Sequence, residues 1–332
     1  MPVTLEDIAR ALNVSKMTVS RAINNHPEIS SQTRARILET ARKMNYRPNQ
    51  FARALTTNRS YLIGIVVPDL MHSYFAEICR GVEIEARPIG YQNLICSTDE
   101  DARKEMDEIE ALLSRTDGLI VASALSKSEA KFYRRLLSEG ANIVLIDRLL
   151  HGLSCSAVTT DDVQVGLLAT EHLISLGHRK IGHLRGPDVS TSLRRRQGYE
   201  QAMLKAKLKP IVRECGFTEP DGYAAMQKWI AESSLPTAIF ASNDPAAIGA
   251  MTAMSDAGLS VPDDMAFVGA GSIHYGDMLR VPLTTVGWST MAMGQSAAEL
   301  LLRLIDGKMK GRRPRRITVP PELLIRQSSG RR

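Results

Sequence analysis

The sequence predicts an α/β protein in which a small all-helical head precedes two units of alternating strands and helices. Three observations carry that prediction. Residues 4–46 show helical periodicity with polar caps, short β-branched runs alternate with amphipathic stretches from Tyr61 onward, and the alternation starts a second time near Ala157. A chain of 332 residues, 44% of them hydrophobic, is long enough for a head and two domains of ordinary size.

In the head, Thr4-Leu5-Glu6-Asp7 reads as a capping signal for a first helix with Ile8, Ala9 and Leu12 on one stripe. A tight break at Leu12-Asn13 leads into a second helix within Val14 to Asn24, for which Ser15 is the natural N-cap. Val14, Val19, Ala22 and Ile23 form its inward face and leave Lys16, Met17, Ser20 and Arg21 pointing elsewhere. Two short helices so joined fit a helix-turn-helix, and a basic, hydrogen-bonding outer face suits base-edge readout in a DNA major groove. Ser30 or Ser31 caps a third helix with Ile37, Leu38, Ala41 and Met44 on its apolar side, ended by Asn45-Tyr46-Arg47-Pro48. Residues 1–60 hold ten Lys or Arg against four Asp or Glu, so they carry a net +6 that equals the excess of the whole chain. Such concentration is the footprint of a module that neutralises phosphates. Asn49 to Thr56 then has room for about two turns of helix with Phe51 and Leu55 on one side, too short to hold alone in water.

From Tyr61 the expected order is a strand at 61–68, a helix at 75–89, a strand at 91–98, a helix at 102–114, a strand at 118–123, a helix at 128–139 and a strand at 142–148. The second series runs through VTTD (158–161), a helix at 163–176, a strand at 180–186, a helix at 193–205, a strand at 211–217, a helix at 222–231, a strand at 237–242, a helix at 245–257 and a strand at 266–271. Strands that alternate with helices in this way predict doubly wound parallel sheets covered on both faces. Ligands bind such sheets outside the carboxyl ends of the strands. The residues placed there are Asp69, His72, Ser73, Tyr74 and Phe75, then Ser123, then Asp147 and Arg148. The second unit offers Arg194 to Arg196, Phe217, Asn243, Asp244, Gly271, Ser272, His274 and Trp288. Aromatics mixed with amides and charges suit a small polar ligand such as a sugar. Asp147 and Asp244 also read as structural caps and Phe75 as core.

Several classes are excluded. No P-loop, GxSxG, HExxH or intact GxGxxG occurs, so no enzyme is expected. Cys79, Cys96, Cys155 and Cys215 are scattered without metal-ligand spacing, so reduced buried thiols and no cofactor or metal are expected. No stretch approaches the roughly 18 residues of a membrane span, and MPVTLEDIAR has no signal-like apolar run. A cytoplasmic protein is expected. A solute-binding protein without DNA function would leave the basic head unexplained.

The stretches TLEDIARALNVSKMTVSRAIN (4–24), SSQTRARILETARKMNYRP (30–48) and NQFARAL (49–55) resemble the head and hinge of the lactose/galactose repressor family of bacterial transcription regulators. The resemblance runs on through IGIVVPD (63–69), TEHLISLGHRKI (170–181), ASNDPAAIGA (241–250) and PLTTV (282–286). It implies two subdomains of periplasmic-binding-protein type joined by several crossings, with a helix-turn-helix head at 1–46 and a hinge at 47–60. One subdomain would comprise 61–160 and 287–320, the other 161–286 and 321–327. It also implies a homodimer on near-palindromic operator DNA, a reading in keeping with the SSGRR that follows PELLIRQ, which leaves no heptad stretch.

The candidate DNA contacts are Thr4, Ser15, Lys16, Met17, Thr18, Ser20 and Arg21. Lys16, Met17 and Arg21 are the base readers, and Thr18 and Ser20 face phosphate or core. In the hinge the candidates are Asn49, Ala52 and Leu55, the family wedging a leucine at the last position between base pairs. The candidate effector contacts are Ser73, Tyr74, Phe75, Ser123, Asp147, Arg148, Arg195, Phe217, Asn243, Ser272 and Trp288. The resemblance directly implies Tyr74, Phe75, Arg148, Arg195, Phe217, Asn243 and Trp288. Family members carry an acid after the strand that here ends near Gly269, where this chain reads Gly269-Ala270-Gly271-Ser272. With Arg148 and Arg195 retained and that carboxylate gone, the expectation widens from a sugar to a sugar acid or other anion.

Overall fold

The structure, a computed structural model, describes residues 3–23, 26–46, 57–125, 129–232, 234–309, 311 and 313–330. It divides into two units, Met1–Ser60 and Tyr61–Arg332.

In the first unit, α1 (Leu5–Leu12), α2 (Lys16–Ile23) and α3 (Ser31–Lys43) follow in order. Thr4 and Asp7 form a reciprocal capping box on α1, and Asn13 ends the helix in the left-handed region at φ 51°. Ser15 Oγ accepts from the Thr18 amide at 3.0 Å and so opens α2. Ser30 rather than Ser31 caps α3, through the Thr33 amide. Ile8, Ala9, Val19, Ala22, Ile37 and Ala41 make one small core. Leu38, expected inside, is 43% exposed.

The second unit contains two six-stranded sheets. The first has the order β11-β5-β4-β3-β1-β2, formed by β1 (Leu62–Val67), β2 (Gln92–Ser97), β3 (Gly118–Val121), β4 (Ile143–Ile146), β5 (Ser156–Thr160) and β11 (Arg316–Val319). The second has the order β12-β10-β9-β8-β6-β7, formed by β6 (Ile181–Arg185), β7 (Ile211–Glu214), β8 (Ala238–Ala241), β9 (Ala266–Ala270), β10 (Thr284–Gly287) and β12 (Glu322–Leu324). Every pairing is parallel except β12 on β10, so the second sheet is mixed, not purely parallel. The chain crosses between the sheets after β5, after β10 and after β11. Central strands such as β3, β4, β8 and β9 are buried throughout, which explains why they read as unbroken apolar runs.

The helices that cover the sheets are α4 (Ser73–Ala86), α5 (Ala102–Leu113), α6 (Ala130–Ser138), α7 (Asp162–Ser175), α8 (Ser190–Lys205), α9 (Glu219–Ile230), α10 (Asp244–Asp256) and α11 (Thr290–Ile305). Three pairs cross at reciprocal glycines. A Cβ on Gly198 of α8 would lie 2.0 Å from the Val163 carbonyl of α7, and one on Gly166 would lie 2.1 Å from the Arg195 carbonyl. Gly81 with Gly294 and Gly222 with Gly249 repeat the device. The α7–α8 crossing matters for function, because Asp162 and Arg195 stand within one turn of it.

The sequence reading has no counterpart to strand β11, and within the segment 321–327 only Glu322–Leu324 forms a strand. Cys79 and Cys155 are buried, whereas Cys96 and Cys215 are half-buried. Among the described residues no helix is long and apolar enough to cross a membrane.

Candidate functional site

On α2, Val19 and Ala22 are buried while Lys16 and Met17 are exposed, Met17 by 63%. An apolar side chain held in water at that level has no packing role in its own unit. Arg21 donates to Glu28 at 2.7 Å with both side chains half in solvent, a pair that a competing phosphate or base edge displaces at little cost. The Thr18 hydroxyl is held by Ser15 Oγ at 2.8 Å, and Ser20 is half-buried. Thr4 is exposed within its capping box. Asn49, Ala52 and Leu55 lie outside the described residues.

A cavity of about 290 Å³ opens at the carboxyl ends of both sheets. Tyr74 from the start of α4 donates its hydroxyl to Asp147 Oδ1 at 2.6 Å, and Trp288 Nε1, just past β10, donates to the Tyr74 oxygen at 3.2 Å. Burial and the adjacent Asp147 carboxylate hold the Tyr74 phenol well above its ordinary value, so it is a neutral donor. Asp147 sits at φ 64° directly after β4, a conformation uncommon for a residue with a side chain. Arg148 follows it, 4% exposed, and forms a bidentate pair with Glu100, both bonds 2.7 Å. Arg195 donates from Nε to Asp162 at 2.9 Å and from Nη1 to the Ser242 carbonyl at 2.7 Å. Burial pushes the Asp162 carboxyl up to about 7, against the pull of Arg195. The two guanidiniums also cover aromatic faces, Arg148 lying 5.2 Å from the Phe217 centroid and Arg195 5.1 Å from that of Trp288. Asn243 caps α10 through the Ala246 amide and donates to the Phe217 carbonyl at 2.7 Å, which fixes the loop that carries that ring. His72 lines the same wall, and burial lowers its pKa and keeps the imidazole neutral, with Nδ1 accepting from the Tyr74 amide.

Comparison with known proteins fits this arrangement. Residues 4–49 match the family described as bacterial regulatory proteins, lacI family, and residues 170–329 match a periplasmic binding protein-like domain. A transcriptional repressor named PurR from Haemophilus influenzae is 36% identical, over 98% of both chains. The chain belongs to the lacI family of bacterial regulatory proteins. It is therefore a DNA-binding transcription regulator with an effector-binding domain, not an enzyme. A solved lac repressor dimer, bound to operator and the anti-inducer ONPF, superimposes with a TM-score of 0.89 at 26% identity over the whole of both chains. A solved complex of the regulator CelR with cellobiose gives 0.73 at 27% identity, over 98% of this chain and 99% of that one.

Within this lacI-family cavity, Tyr74, Phe75, Asp147, Arg148, Arg195, Phe217, Asn243 and Trp288 come together as lining residues. Three others do not line it. Ser123 gives its hydroxyl to Glu105 at 2.5 Å, a buried carboxylate that also takes the Tyr133 hydroxyl and the Ala124 amide and so anchors the end of β3. Ser73 is the first residue of α4, and Ser272, at φ 55°, stands against Gly287 at the end of β10. Asp244 is structural: buried, it accepts from Thr285 Oγ1 and the Ile273 amide. The expectation that no fixed carboxylate faces the two arginines is overturned, because Glu100 and Asp162 hold them and Asp69, Asp147 and Asp221 also lie at the cavity or its rim. Glu100 was missed although it follows β2, whose carboxyl end the strand-end rule covers. Asp162 was missed in the same way: it stands two residues past the end of β5, where it also opens α7.

Proposed function

We propose that this chain is a ligand-controlled repressor that reads a near-palindromic operator as a homodimer in the cytoplasm. Its effector is a small neutral sugar, held where subdomain 61–160 with 287–320 faces subdomain 161–286 with 321–327. Lys16, Met17 and Arg21 read base edges, Thr4, Ser15, Thr18 and Ser20 serve the phosphate side, and Asn49, Ala52 and Leu55 act in the hinge. Dimerisation is supported by Leu70 before α4, Ile84 on it, Ile89 just after it and Ile95 on the edge strand β2, exposed apolar residues beside a broad depression.

The observation that carries the neutral-sugar reading is that both cavity arginines are engaged by carboxylates and lie over the aromatic faces a planar ligand would need. What remains for a ligand are the further acceptor positions of the Asp147 and Glu100 carboxylates and the Arg148 Nε–H, which has no hydrogen-bond partner among the described residues, a pattern that hydroxyls satisfy. CelR, similar over nearly its whole length, was solved with cellobiose; the cavity of about 290 Å³ here suits a single ring. Ligand and DNA affinities are then coupled reciprocally, by about 1–3 kcal/mol.

The test is a thermal-shift panel of neutral sugars, sugar acids and nucleobases, followed by operator binding with and without the hit. A neutral sugar at a hundred times its Kd stabilises by about 2.7 kcal/mol and raises the melting temperature. Stabilisation by nucleobases or sugar acids alone overturns the assignment.

A further inference from the structure

We propose that the basic run between α11 and β11 is a second DNA-backbone contact, supplied by the effector-binding unit itself; the proposal rests on the DNA-binding reading above. Residues 308–316, KMKGRRPRR, contain six Lys or Arg and no acid. Lys310 and Arg312 lie outside the described residues, so the argument stands on Lys308, Arg313, Arg315 and Arg316, all exposed. Lys308 is paired with Asp306 at 2.8 Å. Arg313, Arg315 and Arg316 make no ion pair among the described residues; exposed Arg80, Arg87 and Arg135 each rest on a carboxylate, and although Arg103, Arg115 and Arg134 also make none, they do not stand three within four positions. Three neighbouring guanidiniums without counter-charges repel one another, and an external polyanion relieves that repulsion.

Their place in the fold says which polyanion. Arg316 pairs with Ala157 at the start of β5, and the Arg315 carbonyl accepts from the Ala157 amide at 2.9 Å. Strands β1, β3, β4, β5 and β11 are parallel, so all begin at this edge, the end of the sheet opposite the ligand cavity. Tyr61, through which the chain enters the unit from the head, is at the same edge, its amide donating to Asp117 Oδ2 at 3.1 Å. Four strand steps of about 4.8 Å put β11 about 19 Å across the sheet from β1. The exposed Arg115, in the turn before β3, extends the same positive edge. Pro314 restricts Arg313 to extended backbone and the β11 ladder fixes Arg315 and Arg316, so little backbone entropy is lost on binding. An edge joined covalently to a head of net +6 meets duplex phosphate at high effective concentration, which favours DNA over an acidic protein.

The experiment measures full-length protein binding to a fluorescein-labelled duplex of mixed sequence over a salt series. Arg313→Ala/Arg315→Ala/Arg316→Ala is compared with the triple lysine variant and with a control of equal charge change, Arg103→Ala/Lys205→Ala/Lys228→Ala. Each lost phosphate contact lowers the slope of log K against log salt by about 0.9, so three lower it by about 2.7 and weaken binding about a hundredfold at 0.15 M salt. The lysine triple is expected to stay near wild type, and the control to keep the wild-type slope. An unchanged slope in the alanine triple, an equal loss in the control, or a lysine triple that loses binding overturns the proposal. Wild type that binds no duplex overturns the DNA-binding reading as well, so the two failures are distinguishable.

Discussion

Replacing Glu100 by Gln takes the charge from one side of a pair whose two bonds to Arg148 are both 2.7 Å. Leaving one partner of a fully buried pair uncompensated costs about 3–5 kcal/mol, and an exposed pair contributes about 0.2–1 kcal/mol. Here the Arg148 side chain is 5% exposed and that of Glu100 37%, which places the pair between the two limits. The glutamine side chain retains one acceptor, and Asp147 Oδ2 lies 3.7 Å from Arg148 Nε. Together these set the expected loss at about 1–2 kcal/mol. Urea unfolding should show a lower midpoint at an unchanged slope, because the surface exposed on unfolding is the same. The same substitution frees Arg148 for an external anion, so glucuronate should raise the melting temperature of the variant and leave that of the wild type unmoved. Unchanged stability, or equal stabilisation of both proteins by glucuronate, would refute the argument that Glu100 occupies the anion-binding capacity of Arg148.

Further consequences are open to measurement. Gly198→Ala brings a Cβ to 2.0 Å from the Val163 carbonyl, so α7 and α8 must part; a loss of about 2–4 kcal/mol in denaturation and weaker ligand binding through displaced Arg195 are expected. His183 is buried between Tyr199 and Phe240, and burial lowers its pKa to about 4. Since the unfolded chain binds the proton more readily, its stabilising contribution is complete above the ordinary value near 6.5 and is lost as pH falls toward 4. That amounts to about 2 kcal/mol between pH 7 and pH 5, and His183→Asn should flatten that part of the pH profile of urea midpoints. Arg21→Ala should cost about 1–3 kcal/mol in operator affinity and relax preference at one base, measured on a panel of single-base operator variants; uniform weakening would assign Arg21 to phosphate.

Much of the architecture was legible because local chemistry dictates it. Thr4 with Asp7, Ser15 before Thr18 and Ser30 before Thr33 satisfy helix amides within three residues, so caps can be read from neighbours alone. Strands buried on both faces must be continuously apolar, which made the parallel sheets visible. The edge strand β11 escaped because only alternate residues of Arg316–Val319 are covered and it follows a charged run that resembles a loop. Its neighbourhood escaped for a related reason: a remainder of zero net charge conceals six like charges in nine residues, since a sum carries no positions.

The cavity marks where such reasoning stops. The strand-end rule gathers residues that share an edge of the fold, and it brought Tyr74, Asp147, Arg148, Phe217, Asn243 and Trp288 to one place. Whether an arginine there is an anion site depends on which carboxylate reaches it. Glu100 stands 48 positions from Arg148, and Asp162 stands 33 from Arg195. Those pairings are properties of the sheet order and of the glycine-tight crossing of α7 on α8, which no local pattern encodes. The acid absent after Gly269 therefore does not leave a cationic cleft. Carboxylates at the end of β2 and the start of α7 supply negative charge from other directions, so that the charges of the cavity already face one another, and the proposal of a neutral ligand rests on that pairing.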